Sequence, residues 1–195
     1  NFINLEKNME TMKVKITGKR PLLMHSDKLA DPLNPLTKEH KALTGKRKKT
    51  DDDHEAIAKS SWAASLYIDE DGPYIPGVML ESCMVNGGKL SKLGAQLKRS
   101  AEVLDEKCPL KYKGPKTMEE LWKAGFYDAR SVKVSTSRVM RYRPIFREWE
   151  IEATIAYDQE SIDKSDVKRS LEDAGAFVGI GDYRPKFGRF NVEVK

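Results

Sequence analysis

Glycines, cations and aromatic side chains alternate in one short stretch near the C-terminus, residues 177–190. Glycine lets a backbone approach a ligand closely and adopt positive φ. Backbone N–H groups beside a helix end, with arginine and lysine next to them, are suited to bind phosphate. The stretch therefore predicts a site for a phosphate-bearing ligand. Its candidate binding residues are Gly179, Gly181, Arg184, Lys186, Gly188 and Arg189.

The same stretch has a structural alternative, in which Gly179 and Gly181 end a helix and form a tight turn. A dinucleotide-binding fingerprint is excluded, because it follows a strand and opens a helix, whereas the predicted order here is helix, loop, strand. A P-loop is excluded as well, because its Gly-Lys-Ser/Thr ending is missing. Of the aromatic rings, Phe190 is expected in the core, while Tyr183 and Phe187 are either core residues or stacking platforms.

A second cationic and aromatic segment lies at residues 138–147. Aromatic rings stack on unpaired bases with a gain of ~1–3 kcal/mol per base, and arginines hold phosphates. Tyr142 and Phe146 are interleaved with the arginines, which favours single-strand binding over a solvated hairpin tip. None of the familiar motifs that read duplex DNA is recognisable. The candidate binding residues here are Arg138, Arg141, Tyr142, Arg143 and Arg147.

Residues 37–54 are almost entirely polar, which predicts a mobile insertion. Its basic run is either a solvated loop or a segment that lies over a phosphate backbone. Three adjacent aspartates at 51–53 form a poor cage for a divalent cation, so we expect them to be solvated, and we expect no metal site. The basic run adds Lys46, Arg47, Lys48 and Lys49 to the candidate binding residues.

The composition is that of a highly charged globular protein. The chain has 195 residues, of which 39% are hydrophobic and 33% charged, and it is long enough to bury a core. Its 35 Lys and Arg against 30 Asp and Glu give a net charge of +5, which favours a polyanionic partner without requiring one. No run approaches the ~18 apolar residues of a membrane span. Two distant cysteines without a signal peptide indicate free thiols, so we expect a cytoplasmic protein with no membrane partner.

Periodicity predicts the elements that position these residues. Strands are expected at 12–18, 131–140, 149–157 and 190–194, with a hairpin at 67–75 and a loop at 108–116. Helices are expected at 55–66, 78–85 and 89–104, with a short turn at 118–123 and a last helix at 167–177 capped by Ser165 or Asp166. The leucines of 89–104 and all three tryptophans are expected in the core.

The order of these elements, without insertions, is β-α-β-β-α-β. It predicts the α+β class with a ferredoxin-like or RRM-like core. We expect a flexible lead at 1–11 and one domain at 12–195, with insertions at about 26–55 and 88–130.

Several landmarks together resemble the RAMP (repeat-associated mysterious protein) superfamily, which includes backbone subunits of multisubunit CRISPR effector complexes. They are Pro21-Leu22-Leu23-Met24-His25 after the first strand, Ile75-Pro76-Gly77 before a helix, and the glycine-rich stretch before the last strand. The resemblance implies an RRM-like core, single-stranded nucleic-acid binding and head-to-tail assembly along the strand. It also implies that the glycines lie near the backbone of the strand and that residues 138–147 occupy the place of a protruding hairpin.

The chain is shorter than typical CRISPR backbone subunits and its arginine-rich connection is compact. A stand-alone, phage-type single-strand-binding protein on this fold therefore fits as well as a CRISPR component does. Some members of the superfamily are ribonucleases, so the resemblance also implies His25, Asp27 and Asp31 as catalytic candidates. General acid–base catalysis needs a partner group held in place, which a sequence does not show.

We therefore expect a single-stranded nucleic-acid-binding protein that is not an enzyme and uses no cofactor. Binding is expected to be largely independent of sequence, with assembly along the strand together with copies of itself or related subunits. Two alternatives remain open: an RNA endonuclease of the RAMP type, and a protein-binding mimic of a CRISPR backbone subunit. The sequence does not distinguish RNA from DNA as the ligand.

Overall fold

The computed structural model describes residues 9–134 and 136–195. In chain order, the strands are β1 (Met9–Gly18), β2 (Leu22–Leu23), β3 (Ile68–Asp69), β4 (Gly72–Pro76), β5 (Ala101–Val103), β6 (Lys107–Pro109), β7 (Tyr127–Val134), β8 (Ser137–Phe146), β9 (Glu150–Asp158) and β10 (Phe190–Val194). The helices are α1 (Pro35–Thr44), α2 (Asp51–Ser65), α3 (Gly77–Gly88), α4 (Gly94–Ser100), α5 (Met118–Lys123) and α6 (Lys164–Asp173).

Two compact units share the chain. The first comprises the described residues of 1–22, 74–113 and 147–195, and the second those of 23–73 and 114–146. The predicted division into one domain with two insertions stays a prediction. The predicted lead at 1–11 lies largely outside the described residues, and β1 begins at Met9, earlier than the predicted strand.

The first unit is built on a four-stranded antiparallel sheet with the order β10-β1-β9-β5. Along the chain its main elements run β1, α3, β5, β9, α6, β10. This is the β-α-β-β-α-β order of a ferredoxin-like core. The predicted α+β class is confirmed.

Buried apolar residues and more exposed residues alternate along the two central strands, β1 and β9. This alternation explains which face of the sheet is covered. Met12, Val14 and Ile16 of β1 are buried, as are Ile151, Ala153 and Ile155 of β9, while the residues that alternate with them are more exposed. Successive side chains of a strand lie on opposite faces. Burying each large aliphatic side chain contributes about 1.5–3 kcal/mol. The inner face therefore anchors the sheet, and the outer face is left for polar residues.

The second strand of this core is not the predicted one. Residues 131–140 are expected as a core strand, but β5 pairs with β9 instead, through Ala101, Glu102 and Val103. The prediction is wrong because β5 has only three residues and lies where spaced leucines indicate a helix. Strands β7 and β8 pair with each other as a hairpin of the second unit, so the predicted arginine-rich connection is largely strand β8.

The single helix predicted at 89–104 is also wrong. Lys92 has a φ of +62°, which ends a short 3-10 turn, and α4 begins only at Gly94. Because the helix is broken, the leucines do not form one buried row. Leu97 is fully buried, whereas Leu90 and Leu104 are 58% and 53% exposed.

The second unit packs α1 and α2 with strands β7 and β8, which are neighbours in a sheet. Trp62 of α2 is fully buried, and its indole N–H donates to the carbonyl oxygen of Phe126 at 2.9 Å. Leu66, Leu121 and Phe146 are buried in the same unit. Buried tryptophans need a partner for the indole N–H, and the chain supplies one here.

The predicted mobile insertion at 37–54 is wrong, because α1 and the start of α2 occupy it. The Asn34 side chain accepts a hydrogen bond from the Leu36 N–H at 3.0 Å, and Pro35 opens α1. A capping box starts α2: Thr50 Oγ1 accepts from the Asp53 N–H, and Asp53 accepts from the Thr50 N–H. The aspartates 51–53 lie in the first turn, where the helix dipole favours negative charge.

The remaining predictions are mostly confirmed. The hairpin at 67–75 corresponds to β3 and β4, and the turn at 118–123 to α5. The loop predicted at 108–116 is interrupted by the short strand β6. The last helix begins at Lys164 after Asp163, so Ser165 and Asp166 lie inside its first turn and do not cap it. Among the helices that the structure describes, none has the length and apolar character needed to cross a bilayer.

Candidate nucleic-acid interface

The glycine-rich stretch forms a closed loop between α6 and β10. A π-helical turn, Ala174–Val178, follows α6 and ends at Gly179. The Ile180 N–H donates to the Gly188 carbonyl at 2.9 Å, which joins the two ends of the loop. The Gly188 N–H donates to the Pro21 carbonyl at 2.8 Å, which ties the loop to the segment after β1. The loop is therefore held by backbone hydrogen bonds at its base.

Two glycines are needed for this closure. Gly179 and Gly188 have φ values of +77° and +69°, which L side chains rarely adopt. A Cβ at Gly188 would overlap the carbonyl oxygen of Ile180, and one at Gly179 would lie 2.8 Å from that of Phe187. Both glycines thus serve the loop's own backbone. Gly181 also has a positive φ, +83°.

A cationic cleft of about 530 Å³ lies beside the closed loop. None of the residues that line it is acidic. Three of them are cations from two separate segments of the first unit, and the others are apolar. They are Arg20, Pro21, Pro185, Lys186, Phe187 and Arg189. The other predicted cation of the loop, Arg184, is exposed beside Tyr183, which is 46% exposed.

Arg20 is a member of this cleft that sequence reasoning missed. The Arg20 N–H donates to the Arg189 carbonyl at 3.1 Å, and the Arg20 carbonyl accepts from the Trp149 indole at 2.9 Å. The Arg189 side chain is oriented by its own bond from Nε to the Pro185 carbonyl, at 3.0 Å. Only the pairing of β1 with β10 brings these distant residues together.

Below the loop lies a buried thiol. Cys83 of α3 donates from Sγ to the Gly179 carbonyl at 3.2 Å. Burial raises the pKa of this thiol to about 12, although the positive charge of Arg184 opposes the shift. The thiol is therefore an inert packing and hydrogen-bonding group in the folded protein.

The β7–β8 hairpin places its side chains on two different faces. Directly paired residues share a face, and the pairs run from Tyr127↔Pro144 to Val134↔Ser137. One face carries Tyr127, Ala129, Ser131 and Lys133 opposite Pro144, Tyr142, Met140 and Arg138; we call it the aromatic face. The other carries Asp128, Arg130 and Val132 opposite Arg143, Arg141 and Val139; we call it the arginine face.

The predicted hairpin residues differ in their surroundings. The aromatic ring of Tyr142 lies 6.1 Å from that of Trp122 and 5.9 Å from that of Tyr127. Phe146 is fully buried against Phe126, so the predicted role of its ring in base stacking is wrong. Arg138 is exposed and donates to Ser131 Oγ at 3.3 Å. Arg147, directly after β8, is exposed and belongs to the first unit.

Arg141 and Arg143 lie on the arginine face, where an acid is also present. Asp128 accepts from Arg130, with one bond of 2.8 Å from Nη2. Arg141 is directly opposite Arg130, and Arg143 is directly opposite Asp128. This face is therefore partly neutralised, whereas no acidic residue lies among the eight named for the aromatic face.

The basic run at 46–49 stabilises the junction of α1 and α2. Lys46 Nζ lies 2.5 Å from Asp53 Oδ1, and this hydrogen bond, together with one from the Thr50 backbone, lowers the pKa of Asp53 to about 2. Lys49 donates to the Lys46 carbonyl at 2.7 Å. Arg47 and Lys48 are exposed. A binding role for these four residues stays a prediction.

The structure places the catalytic candidates of the sequence in the segment that follows β2. His25 Nδ1 lies 3.3 Å from Ser65 Oγ. Asp31 Oδ1 accepts from the Leu33 N–H at 2.9 Å, and Asp27 precedes a 3-10 turn. Within the described residues, no group of three His, Cys, Asp or Glu side chains is placed to hold a metal ion.

The outer face of the four-stranded sheet carries paired charges. Lys15 pairs with Glu150 at 2.7 Å, and Glu152 accepts from both Lys111 and Lys195. Hydrogen bonds from Lys111 and Lys195 lower the pKa of Glu152 to about 2. RRM domains stack bases on aromatic residues of this face. The residues of β1 and β9 that alternate outward here are Thr11, Lys13, Lys15, Thr17, Glu150, Glu152 and Thr154, none of them aromatic.

Comparison with known proteins shows a likeness of fold. No model of a protein family matches the sequence, and no curated protein matches it. Among solved structures, a chain of the "Cryo-EM structure of the Type III-B Cmr-beta bound to cognate target RNA" aligns with a TM-score of 0.51 and 12% identity. The alignment covers 97% of this chain and 62% of that one, so this chain spans less than two thirds of its neighbour's length. At this identity the likeness concerns the fold alone.

Proposed function

We propose that this chain is a RAMP-type protein that binds single-stranded nucleic acid, largely without regard to sequence, and that it is not an enzyme. The cationic cleft beside the glycine-rich loop carries this proposal. Arg20, Lys186 and Arg189 line it together with the ring of Phe187, and no carboxylate lines it. Cations that track a backbone, next to rings on which bases stack, are the common means of binding single strands.

Two further observations support the proposal. The fold likeness is to a chain from a complex whose structure was determined bound to target RNA. The hairpin offers a second set of cations and aromatic rings.

The test is fluorescence anisotropy with labelled single-stranded and duplex oligonucleotides over a series of salt concentrations. We expect binding to single strands that is tighter than to duplex and weakens with salt as counterion release becomes less favourable. The double variant Arg20→Ala, Lys186→Ala should lower the salt slope by ~0.7 for each phosphate that is no longer neutralised.

The matched control is Lys111→Ala with Lys195→Ala, which removes the same charge from the first unit but from the sheet face. Surface ion pairs such as these contribute little to stability. The control should leave the salt slope unchanged. Negligible binding at low salt, or equal losses in both double variants, would reject the cleft as the binding site.

We also propose that the protein assembles along the bound strand with copies of itself. Light scattering with and without an oligonucleotide tests this, since a particle that grows only when the oligonucleotide is added is expected. A monomer that ignores oligonucleotides would instead favour a protein-binding mimic. Cleavage of labelled RNA, with or without divalent metal, would favour an endonuclease.

A further inference from the structure

We propose that Trp122, Tyr127 and Tyr142 form a stacking site for an unpaired nucleobase on the aromatic face of the hairpin. The inference rests on the proposed function and adds a residue-level site to it. Trp122 belongs to α5, whereas Tyr127 begins β7 and Tyr142 lies in β8. All three belong to the second unit.

The three rings form a continuous cluster. The centroids of Trp122 and Tyr127 are 4.8 Å apart with an angle of 32° between the planes, which is a tilted stack. Tyr142 lies 5.9 Å from Tyr127 and 6.1 Å from Trp122. Beneath them the fully buried Trp62 contacts Trp122 edge-on at 5.4 Å. Because Trp62 is fixed by its hydrogen bond to Phe126, the cluster has a rigid floor.

The upper side of the cluster is accessible. Tyr127 is 37% exposed, and Trp122 and Tyr142 are partly exposed. Along the same face Met140 is 55% exposed, and its thioether is suited to contact aromatic rings. An exposed set of rings followed by an exposed methionine is an apolar strip on which successive flat bases can lie.

Charge complementarity identifies the occupant as a polyanion. At the far end of the aromatic face, Lys133 is directly opposite Arg138. Like charges directly opposite each other destabilise a hairpin, and a bound anion relieves this repulsion. The pairs Tyr127↔Pro144 and Lys133↔Arg138 are six residues apart, which is about 20 Å of strand. Rings at one end and cations at the other match a single strand that lies along the face with bases on the rings.

Duplexes do not fit this site, because their bases already stack on one another and offer no free ring face. The site therefore predicts that single strands bind more tightly than duplexes. It differs from the cleft of the first unit, where three of the six lining residues are cations and one is aromatic.

Tryptophan fluorescence tests the proposal on the unmodified protein. Of the three tryptophans, Trp62 and Trp149 are 0% and 3% exposed, so Trp122 is the one that a base can reach. We expect a single-stranded oligonucleotide to quench the emission. An abasic strand of the same length and charge should bind more weakly and leave the emission unchanged.

Substitution supplies the second test. Tyr127→Leu should lower affinity for the single strand about tenfold, as expected when one base no longer stacks. Tyr127→Phe should retain affinity because it keeps the ring. Tyr74→Leu is the matched control, since that ring packs under Lys107 in the first unit, and it should have no effect. The abasic strand should bind wild type and Tyr127→Leu equally.

The outcomes separate this inference from the proposed function. If single strands bind the wild type without quenching, and Tyr127→Leu binds as tightly, the stacking site is rejected and the proposed function stands. If no strand binds, both are rejected. Quenching by an added protein but not by an oligonucleotide would also reject the stacking site.

Discussion

The glycine-rich loop and the β7–β8 hairpin present the same kinds of side chain by opposite means. In the loop, positive φ at Gly179 and Gly188 and hydrogen bonds among Ile180, Gly188 and Pro21 fix the backbone, and the cations extend from it. In the hairpin, regular antiparallel pairing of β7 with β8 fixes the backbone. Successive side chains of each strand point to opposite faces, and this alone decides which face a side chain occupies.

This difference determines which substitutions each region tolerates. The loop depends on residues that have no side chain, so a single methyl group at a glycine can destroy its shape. The hairpin depends on which side chains share a face, so substitutions there should change binding while the fold is retained. Substitutions should therefore differ in the size of their effects, from large in the loop, through intermediate in the hairpin, to small at a histidine of α1.

Gly188→Ala should have the largest effect. The added methyl group overlaps the Ile180 carbonyl oxygen and the backbone has a φ of +69°, so we expect a loss of about 3 kcal/mol or more in unfolding free energy. Gly125→Ala is the matched control in the second unit. Its φ is +77° but nothing lies within 4 Å of the added Cβ, so about 1 kcal/mol is expected. Urea denaturation measures both, and equal losses would contradict the loop's dependence on close backbone contact.

Neutralising one face of the hairpin at a time should have an intermediate effect. Lys133→Ala with Arg138→Ala should weaken binding of all sequences about equally and lower the salt slope by ~1.4, since two phosphates are no longer neutralised. Arg141→Ala with Arg143→Ala should act in the same direction but less, because Asp128 lies on the arginine face. Salt-dependent anisotropy measures both slopes. If neither pair changes binding, the hairpin is not a contact surface.

The smallest effect is a pH dependence confined to the second unit. His40 Nδ1 lies 2.8 Å from Ser60 Oγ, and burial, with the charge of Arg141, lowers the pKa of His40 below its ordinary 6.5. The unfolded chain therefore takes up a proton near pH 6.5 while the folded protein does so only at lower pH. Stability should be full above this pH and decrease as the pH falls through it.

His40→Gln should flatten that decrease in a series of urea midpoints. The first unit contains no histidine, since His25, His40 and His54 all belong to the second. Cys83 lies beneath the loop of the first unit, so the rate at which its thiol is alkylated measures the unfolding of that unit separately. If the alkylation rate of Cys83 shows a pH dependence of the same size, His40 is not the source of the pH dependence.

The sequence predicts the elements whose pattern is local. Buried and more exposed residues alternate from Met12 to Thr17 in β1 and from Glu150 to Ile155 in β9, because one face of each strand is buried. The helices α2 and α3 are predicted as well, although with later starts than the structure has. The strand β5 is missed because three residues carry no period, and its pairing with β9 depends on the rest of the sheet. The start of α2 is missed because its cap consists of polar residues inside a charged run, where Thr50 and Asp53 satisfy each other.

For the candidate site, the sequence supplies the residue types but not their arrangement. The cations of the loop are predicted, whereas Arg20 is not, because only the β1–β10 pairing brings it to the cleft. Tyr142 is predicted to stack, but its companion Trp122 is expected in the core. Trp62 and Trp149 confirm that expectation, and Trp122 differs because it lies at the surface end of the aromatic cluster.

The thiol of Cys83 has a practical consequence. It is buried beneath the loop, its sulfur donates a hydrogen bond to the Gly179 carbonyl, and burial raises its pKa to about 12, so we expect an alkylating reagent to react with it only when the loop opens. The alkylation rate of this thiol therefore measures how often the loop opens. An oligonucleotide bound in the cleft should lower the alkylation rate of Cys83. Mass spectrometry of the alkylated protein would then measure occupancy of the cleft without any label on the ligand.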